Sequence, residues 1–393
     1  MKPALVLLLG AALILGGCAR KPLAQERAEH HAGARGDVVV AVAWPLRASK
    51  GTLVKGVELA AAEINGAGGL LGGRKLRLLL KDDAGSLSTG RQVAQEIAND
   101  VEVAAVIGHL NSYITAPAAQ IYERAGLLMV TPGASGQKIT EQGGRLVFRT
   151  LPGNRDQGRQ IGDYAAAQGY KHVAIYYVKN DYGVDLANYF EKRAHELGIV
   201  VADRRSYDMG GDDYRAVLSN WAALLKLDAI FLVGSLPESG QILREARAAG
   251  LTVPVFGGAG LDSPDLIRLG GQSVEGTVVF SLFNAGAPHA PAHAFAARYQ
   301  ARYGVAPDAT AAQGYDTLKL LAHAMQRAQG TLPARVADAL RATRQWHGAT
   351  GVHTFNPQGD LVAKPLAKVV VRDGRFVYFD RDPPLQGERL GAR

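Results

Sequence analysis

Residues 104–135, AAVIGHLNSYITAPAAQIYERAGLLMVTPGAS, constrain the fold of this chain more than any other segment. They read as two consecutive strand-to-helix units. A short apolar run, residues 103–108, ends in a polar turn with Asn111 and Ser112, and a helical pattern follows. A second apolar run, residues 127–131, ends in the turn Pro132-Gly133-Ala134-Ser135. Short, wholly apolar runs suit strands buried on both faces, as in a parallel sheet covered by helices on either side. In such sheets ligands bind beyond the carboxyl ends of the strands. Ser112 and Ser135 stand there, each a hydroxyl beside N–H groups at a turn or helix start, which favours an anionic group such as a carboxylate. Either serine alone is better read as a simple helix N-cap. Two at successive strand ends favour a ligand site.

The same alternation runs on along the chain. Strand-like runs at 38–43, 75–81, 173–178, 200–207, 229–233 and 253–256 are separated by helical patterns at 53–65, 88–99, 155–168, 184–197, 214–225 and 239–249. This beat predicts βαβ units and parallel sheets. After residues 276–282 helices dominate from His293 to Thr343, and residues 366–371 and 375–379 predict a hairpin about Asp373-Gly374. At 393 residues, 47% of them hydrophobic, the chain can fill a core in each of two lobes.

The ends have a different character. Lys2, the apolar residues 4–15 and the box Leu15-Gly16-Gly17-Cys18 predict a cleaved lipoprotein leader, residues 1–17. Cys18 would then be the lipidated first residue of the mature protein. It is the sole cysteine, so no internal disulfide can form. Residues 19–36 are polar, charged and aperiodic, which predicts a flexible tether. His30 and His31 lie within it, too few ligands for a metal site, and no cofactor is expected.

No later apolar stretch approaches a transmembrane span. The net charge of +8 comes from scattered lysines and arginines without aromatic interleaving. That argues against nucleic acid as a partner and for a solvated basic surface. Catalytic signatures are missing as well. No Gly-Lys pair occurs for a phosphate loop, and the glycine-rich run 66–73 lacks dinucleotide spacing and follows a helix. His195-Glu196 lacks the second histidine of a zinc motif. A non-enzymatic protein is expected.

The 104–135 segment, with its VIGH-L-x-S turn and its IYERAGLLMVTPGAS run, resembles the family of periplasmic leucine/isoleucine/valine-binding proteins, the type I solute receptors of ABC importers. Further matches are GVELAAAEINGAGGLLGGRKLRLLLKDDA (56–84), VFRTLPGNRDQG (147–158), VAIYYVKNDYGVDLA (173–187) and GQILREARAAGL (240–251), in unbroken order over roughly 38–379. The resemblance implies an α/β type I periplasmic binding protein fold, two Rossmann-like parallel-sheet lobes joined by three hinge crossovers. With crossings near Pro152, Phe283 and Phe355, lobe one would comprise 37–151 plus 284–354 and lobe two 152–283 plus 355–380. Residues 18–36 would form the lipidated cysteine and tether, and 381–393 a C-terminal tail. Hinges of this kind permit closure about a ligand.

Residue by residue, the resemblance implies that Ser112 holds a ligand carboxylate, with Gly133, Ala134 and Ser135 adding main-chain groups and a second hydroxyl. Tyr182 matches an aromatic of lobe two that closes over the ligand, and an ordinary half-buried tyrosine is the alternative. Ser235 stands where the family can have a tyrosine, which leaves more room. The family's acidic partner for a ligand ammonium falls at Ala259, and a methyl group cannot pair with an ammonium. Either the ligand lacks that group or another residue supplies the charge. Asp262 and Glu238 are nearest in sequence, though Asp262 could cap the following helix and Glu238 could be solvated. The family's lobe-one disulfide positions are Gly85 and Asn111 here. Trp44 ends the first strand and either faces the cleft or fills the core, while Arg47 either meets an anionic ligand or lies on the surface. The implied protein is a lipid-anchored, extracytoplasmic solute-binding protein of an ABC importer. It would take an amino-acid-like or carboxylate solute and deliver it to permease subunits. The alternative is a sensory or regulatory lipoprotein that uses the same fold to signal to a membrane receptor or envelope enzyme.

Overall fold

The computed structural model describes residues 21–47, 51–142, 144–211 and 213–379. Cys18 and the leader lie outside the described residues. The first sheet consists of β1 (Val38–Trp44), β2 (Leu76–Asp82), β3 (Val103–Gly108), β4 (Leu128–Thr131) and β5 (Val147–Arg149). Its order is β2-β1-β3-β4-β5, and every pairing is parallel. β1, β3 and β4 are buried along their whole length, as their apolar runs require. Strand order reverses between β1 and β3, so a ligand crevice opens at the ends of those two strands.

The second sheet begins with β6 (His172–Val178), β7 (Val200–Tyr207), β8 (Ala229–Val233), β9 (Val255–Gly257) and β10 (Val278–Ser281). A short antiparallel ribbon, β11 (Trp346–Gly348) with β12 (Gly351–His353), follows the helical region. The hairpin of β13 (Ala367–Arg372) and β14 (Arg375–Tyr378) then completes the sheet, in the order β14-β13-β10-β9-β8-β6-β7. Its turn residues Asp373 and Gly374 both have positive φ, 51° and 65°, the conformation of a tight hairpin that follows strand twist.

Helices cover both faces of each sheet. On one face of the first sheet, Val40, Val42 and Trp44 pack with Leu53, Phe295 and Leu318; on the other, Val39 and Ala41 pack with Ile97 and Tyr122. Helix Ala309–Arg327 lies directly against helix Thr52–Gly66 because small residues face each other. A Cβ on Gly56 would fall 1.9 Å from the Ala311 carbonyl oxygen, and one on Gly314 would fall 2.6 Å from that of Leu53.

Two expectations need correction. The segment read as a flexible tether contains a helix, Leu23–Gly33, docked on the first lobe. Arg27 is fully buried and donates to the carbonyls of Ala98, Asp100, Val103 and Ala125 at 2.5–3.1 Å. The oxygens of Ala98, Asp100 and Ala125 lie at the C-terminal ends of helices Leu87–Asn99 and Ser112–Arg124, where helices leave carbonyls unpaired, and that of Val103 opens β3. His31 is buried too, 2.9 Å from the Thr331 hydroxyl. Polarity here marks a long-range cap rather than a solvated tether.

The third crossover, expected near Phe355, lies later in the chain. Phe355 packs edge-to-face on Phe148 at 5.6 Å and pairs with Leu361 across a bridge, all within the first lobe's core. Leu366 already belongs to the second lobe's core, so the chain crosses between Leu361 and Leu366.

Candidate ligand-binding cleft

On the first lobe, Ser112 is the first residue of helix Ser112–Arg124, directly beyond β3. Its Oγ accepts the Gly136 N–H at 3.1 Å, which leaves the hydroxyl proton available to a ligand. The turn with Ser135 is held from behind by Arg149. That guanidinium is fully buried and donates to the carbonyls of Ser135 and Gly136 (2.7 and 2.8 Å), to Thr140 Oγ1 (2.7 Å) and to Asp360 Oδ1 (2.7 Å). Behind the Ser112 turn, His109 bridges Asp83 (2.7 Å) and the Tyr122 hydroxyl (3.1 Å), and the other Asp83 oxygen accepts the Gly85 N–H.

Gly133 is required by close approach: a Cβ there would fall 2.5 Å from the Trp44 ring. Trp44 is therefore both core and cleft, 1% exposed and lining the cavity. Ala134 does not reach the cavity. Its N–H donates to Thr131 Oγ1 at 3.0 Å and its methyl packs in the core. A Cβ on Gly85 would lie 3.7 Å from Asn111 Nδ2, so these two positions face one another. Arg47 pairs with Asp82 at 2.7 Å with its side chain 90% exposed, the surface alternative.

On the second lobe, Tyr182 projects from the first turn of helix Asp181–Glu196, which Asn180 caps by accepting the Gly183 N–H at 3.0 Å. The tyrosine hydroxyl lies 3.4 Å from the Gly260 N–H, and burial pushes its pKa up to about 12. A Cβ on Gly258 would lie only 2.9 Å from that oxygen, so the glycines flanking Ala259 make room for the ring. Ser235 and Ala259 line the same cavity. Asp185 joins the lobes next to the Ser135 turn: it accepts the Gln137 N–H at 2.8 Å and Asn154 Nδ2 at 3.0 Å.

Both candidate acids reach the cleft, with different commitments. Glu238, largely buried, accepts the Gly210 N–H at 2.8 Å and so braces a loop. Asp262 does not cap the next helix; Ser263 does, accepting the Asp265 N–H at 3.2 Å. One Asp262 carboxylate oxygen is buried without a partner. Burial pushes its pKa up to about 7, the nearby Asp308 carboxylate adds to this, and contacts from Ser281 and the Leu282 backbone oppose it. Asp308 belongs to the other lobe, where it caps helix Ala309–Arg327.

The cleft measures about 610 Å³ and draws its walls from both lobes. That is ample for a small organic solute. Among the sequence-predicted residues, Ser112, Gly133, Ser135, Tyr182, Ser235, Ala259 and Asp262 converge on it. Arg149, Asp185, Asp308 and Gln313 were not singled out from sequence. Arg149 at least left a signal, a lone basic residue closing an otherwise apolar strand.

The periplasmic binding protein family model matches residues 45–375. A Leu/Ile/Val-binding protein homolog 2 of Brucella abortus (strain 2308) is 31% identical over 357 residues, 88% of this chain and 94% of that protein. A leucine-, isoleucine-, valine-, threonine- and alanine-binding protein of Pseudomonas aeruginosa is 32% identical over 311 residues, covering 78% of this chain and 81% of its own length. Among solved structures, an ABC transporter substrate-binding protein from Desulfitobacterium hafniense in complex with Leu is 35% identical with a TM-score of 0.79, covering 87% of this chain and all of that one. A leucine binding protein from Thermotoga maritima gives a TM-score of 0.80 at 29% identity, with coverage of 87% and 97%.

Proposed function

Because this chain belongs to the periplasmic binding protein family, we propose that it is the lipid-anchored, extracytoplasmic substrate-binding protein of an ABC importer of the branched-chain amino acid type. Its solute is a small carboxylate-bearing molecule, an amino acid or analogue, held between the lobes and passed to permease subunits. The observation that supports this reading best is the pair Ser112 and Ser135. Two hydroxyls at successive strand ends face a cavity walled by both lobes, and each turn is braced by buried groups that do not themselves need a ligand. Such preorganised donors at a helix start suit a carboxylate.

Tyr182 closes the second-lobe side, and Ser235 leaves space for bulk. Asp262 takes the role that Ala259 cannot fill: its unpartnered oxygen pairs with the ligand's ammonium. A buried charge without a partner is costly, so ligand and carboxylate each satisfy the other. Closure then presents the loaded form to the permease by population shift.

The test is mass spectrometry of solute released by denaturing the purified protein, followed by calorimetry with the identified compound. An amino acid or carboxylate analogue at near one-to-one stoichiometry is expected, and a solute without a carboxylate would overturn the reading. For the anchor at Cys18, Cys18→Ser protein should leave the membrane fraction with the mass change of lost acyl chains. Unaltered partitioning and acyl-free mass in both proteins would refute it.

A further inference from the structure

We propose that Gln313, supported by the indole N–H of Trp44, determines specificity in the cleft, and that the solute bears a side-chain hydroxyl or carboxamide in addition to its carboxylate. The inference deepens the reading of the cleft as an amino-acid site and rests on it. Gln313 lines the cavity from helix Ala309–Arg327 and is 1% exposed. Among the described residues it alone has both side-chain polar atoms, Oε1 and Nε2, buried without a partner. Trp44 lines the same cavity, and its Nε1 is likewise buried and unpartnered.

The backbone leaves Gln313 little freedom to escape. Its neighbour Gly314 is pressed onto Leu53, and its own carbonyl accepts the Thr317 hydroxyl at 2.7 Å. Thr317 in turn lies 2.8 Å from the hydroxyl of Thr150, in the first crossover. The helix is therefore fixed against both Leu53 and the first crossover, and only the side-chain torsions remain.

Buried polar side chains nearly always find partners, and a carboxamide needs both a donor and an acceptor. A plain hydrocarbon side chain would close over Gln313 and leave both of its atoms unpaired. A side-chain carboxylate would only accept and an ammonium would only donate. A hydroxyl or carboxamide does both, and the Trp44 N–H supplies a further donor to its oxygen. Sites built to pair a polar substrate group discriminate strongly against the isostere that lacks it.

Calorimetry of ligand-stripped protein with two near-isosteric pairs, threonine with valine and asparagine with leucine, tests this. In the wild type the polar member of at least one pair should bind roughly tenfold or more tightly than its apolar partner. Gln313→Leu should abolish or reverse that preference. Trp44→Phe keeps an aromatic six-membered ring but removes the indole donor, and should weaken the polar member severalfold more than the apolar one. Equal binding of both members, or tighter binding of valine and leucine, overturns the proposal and leaves the amino-acid reading standing. A preference retained in folded Gln313→Leu also overturns it. Should that variant fail to fold, the wild-type preference and Trp44→Phe decide together, and an unchanged preference in Trp44→Phe counts against it. If none of the four amino acids binds, this inference falls, and the solute released by denaturation decides the amino-acid reading separately.

Discussion

Beside the third crossover, Lys364 donates to the Thr350 hydroxyl at 2.8 Å and lies 3.0 Å from His353 Nε2. The Asp316 carboxylate there accepts the N–H groups of Ala349 and Thr350 and the Thr350 hydroxyl, at 2.6–2.7 Å. In the cleft, by contrast, one oxygen of Asp262, the Trp44 N–H and the whole Gln313 carboxamide have no partner. Both regions bury polar groups that are expensive to take from water. Near the hinge the protein satisfies them itself; in the cleft it leaves them for something else. Unpartnered buried atoms also occur away from the cleft, at Gln137 and Thr277, so it is their convergence on one cavity that marks the site.

The hinge cluster also joins the lobes. Lys364 inserts its ammonium into the first lobe, while its carbonyl accepts Gln160 Nε2 from the second at 3.2 Å, and Gln160 Oε1 accepts the Leu366 N–H at 2.8 Å. Burial pushes the Lys364 pKa down to about 8, with the Asp316 carboxylate opposing, and burial together with the Lys364 charge pushes His353 well below its ordinary value. Lys364→Met should therefore produce the largest effect. It removes the ammonium's contacts with Thr350 and His353 and the cation that acts on the buried Asp316 carboxylate through Thr350, and should cost about 3 kcal/mol of unfolding free energy. Urea denaturation checks this, and a loss under about 1 kcal/mol would mean that the cluster is not the self-satisfied structure described.

Cleft substitutions should invert that pattern, with affinity lost and fold retained. Ser112→Ala and Ser135→Ala each remove a hydrogen bond to a charged ligand group, worth about 1.5–3 kcal/mol, or roughly tenfold to a hundredfold in Kd. Calorimetry with the released solute reads this directly. Unchanged affinity in both folded variants would remove the carboxylate from this position. The Arg27 cap sits between the two extremes. Arg27→Ala should free helix Leu23–Gly33 at a local cost of about 1–3 kcal/mol. Amide exchange would speed up over that helix and its carbonyl partners, while the second lobe stays protected. Equal protection in the variant would show that the helix docks by other contacts.

Most of the framework was legible from sequence because it depends on local pattern. The apolar runs of β1, β3 and β4 and the Asp373-Gly374 turn need only nearby residues to be read. What stayed hidden is long-range. Arg27 looks solvated until the carbonyls of Ala98 and Ala125 arrive from far along the chain, and Phe355 looks like a linker until Phe148 meets it. In the cleft, Ser112 and Ser135 could be found because strand ends are predictable. Gln313 could not, since nothing in the pattern of its helix distinguishes a satisfied carboxamide from an orphaned one. Resemblance to a family pointed to the empty position at Ala259, but only the folded chain brings Asp262 and Asp308 from opposite lobes into one cavity.

The smallest expected effect is a pH dependence of the ligand-free protein. Burial raises the Asp262 pKa from an ordinary carboxyl value to about 7, so the folded state binds its proton more tightly than the unfolded chain does. The associated stability is fully present below the unfolded pKa and is lost as pH rises through about 7. Asp262→Asn cannot ionise, so variant and wild type should have similar thermal midpoints near about pH 3.5, below the unfolded carboxyl pKa, and the wild type should fall behind by about 2 °C or more near pH 8.5. Asp308, also raised by burial, remains in the variant and keeps a weaker slope of the same sign. Saturating solute with an ammonium should reverse the difference, because it pairs with the ionised carboxylate and stabilises the wild type most at high pH. Parallel pH profiles for the two ligand-free proteins would show that Asp262 is solvated rather than held in reserve for a cation. The cleft would then resemble the hinge in leaving no charge unmet.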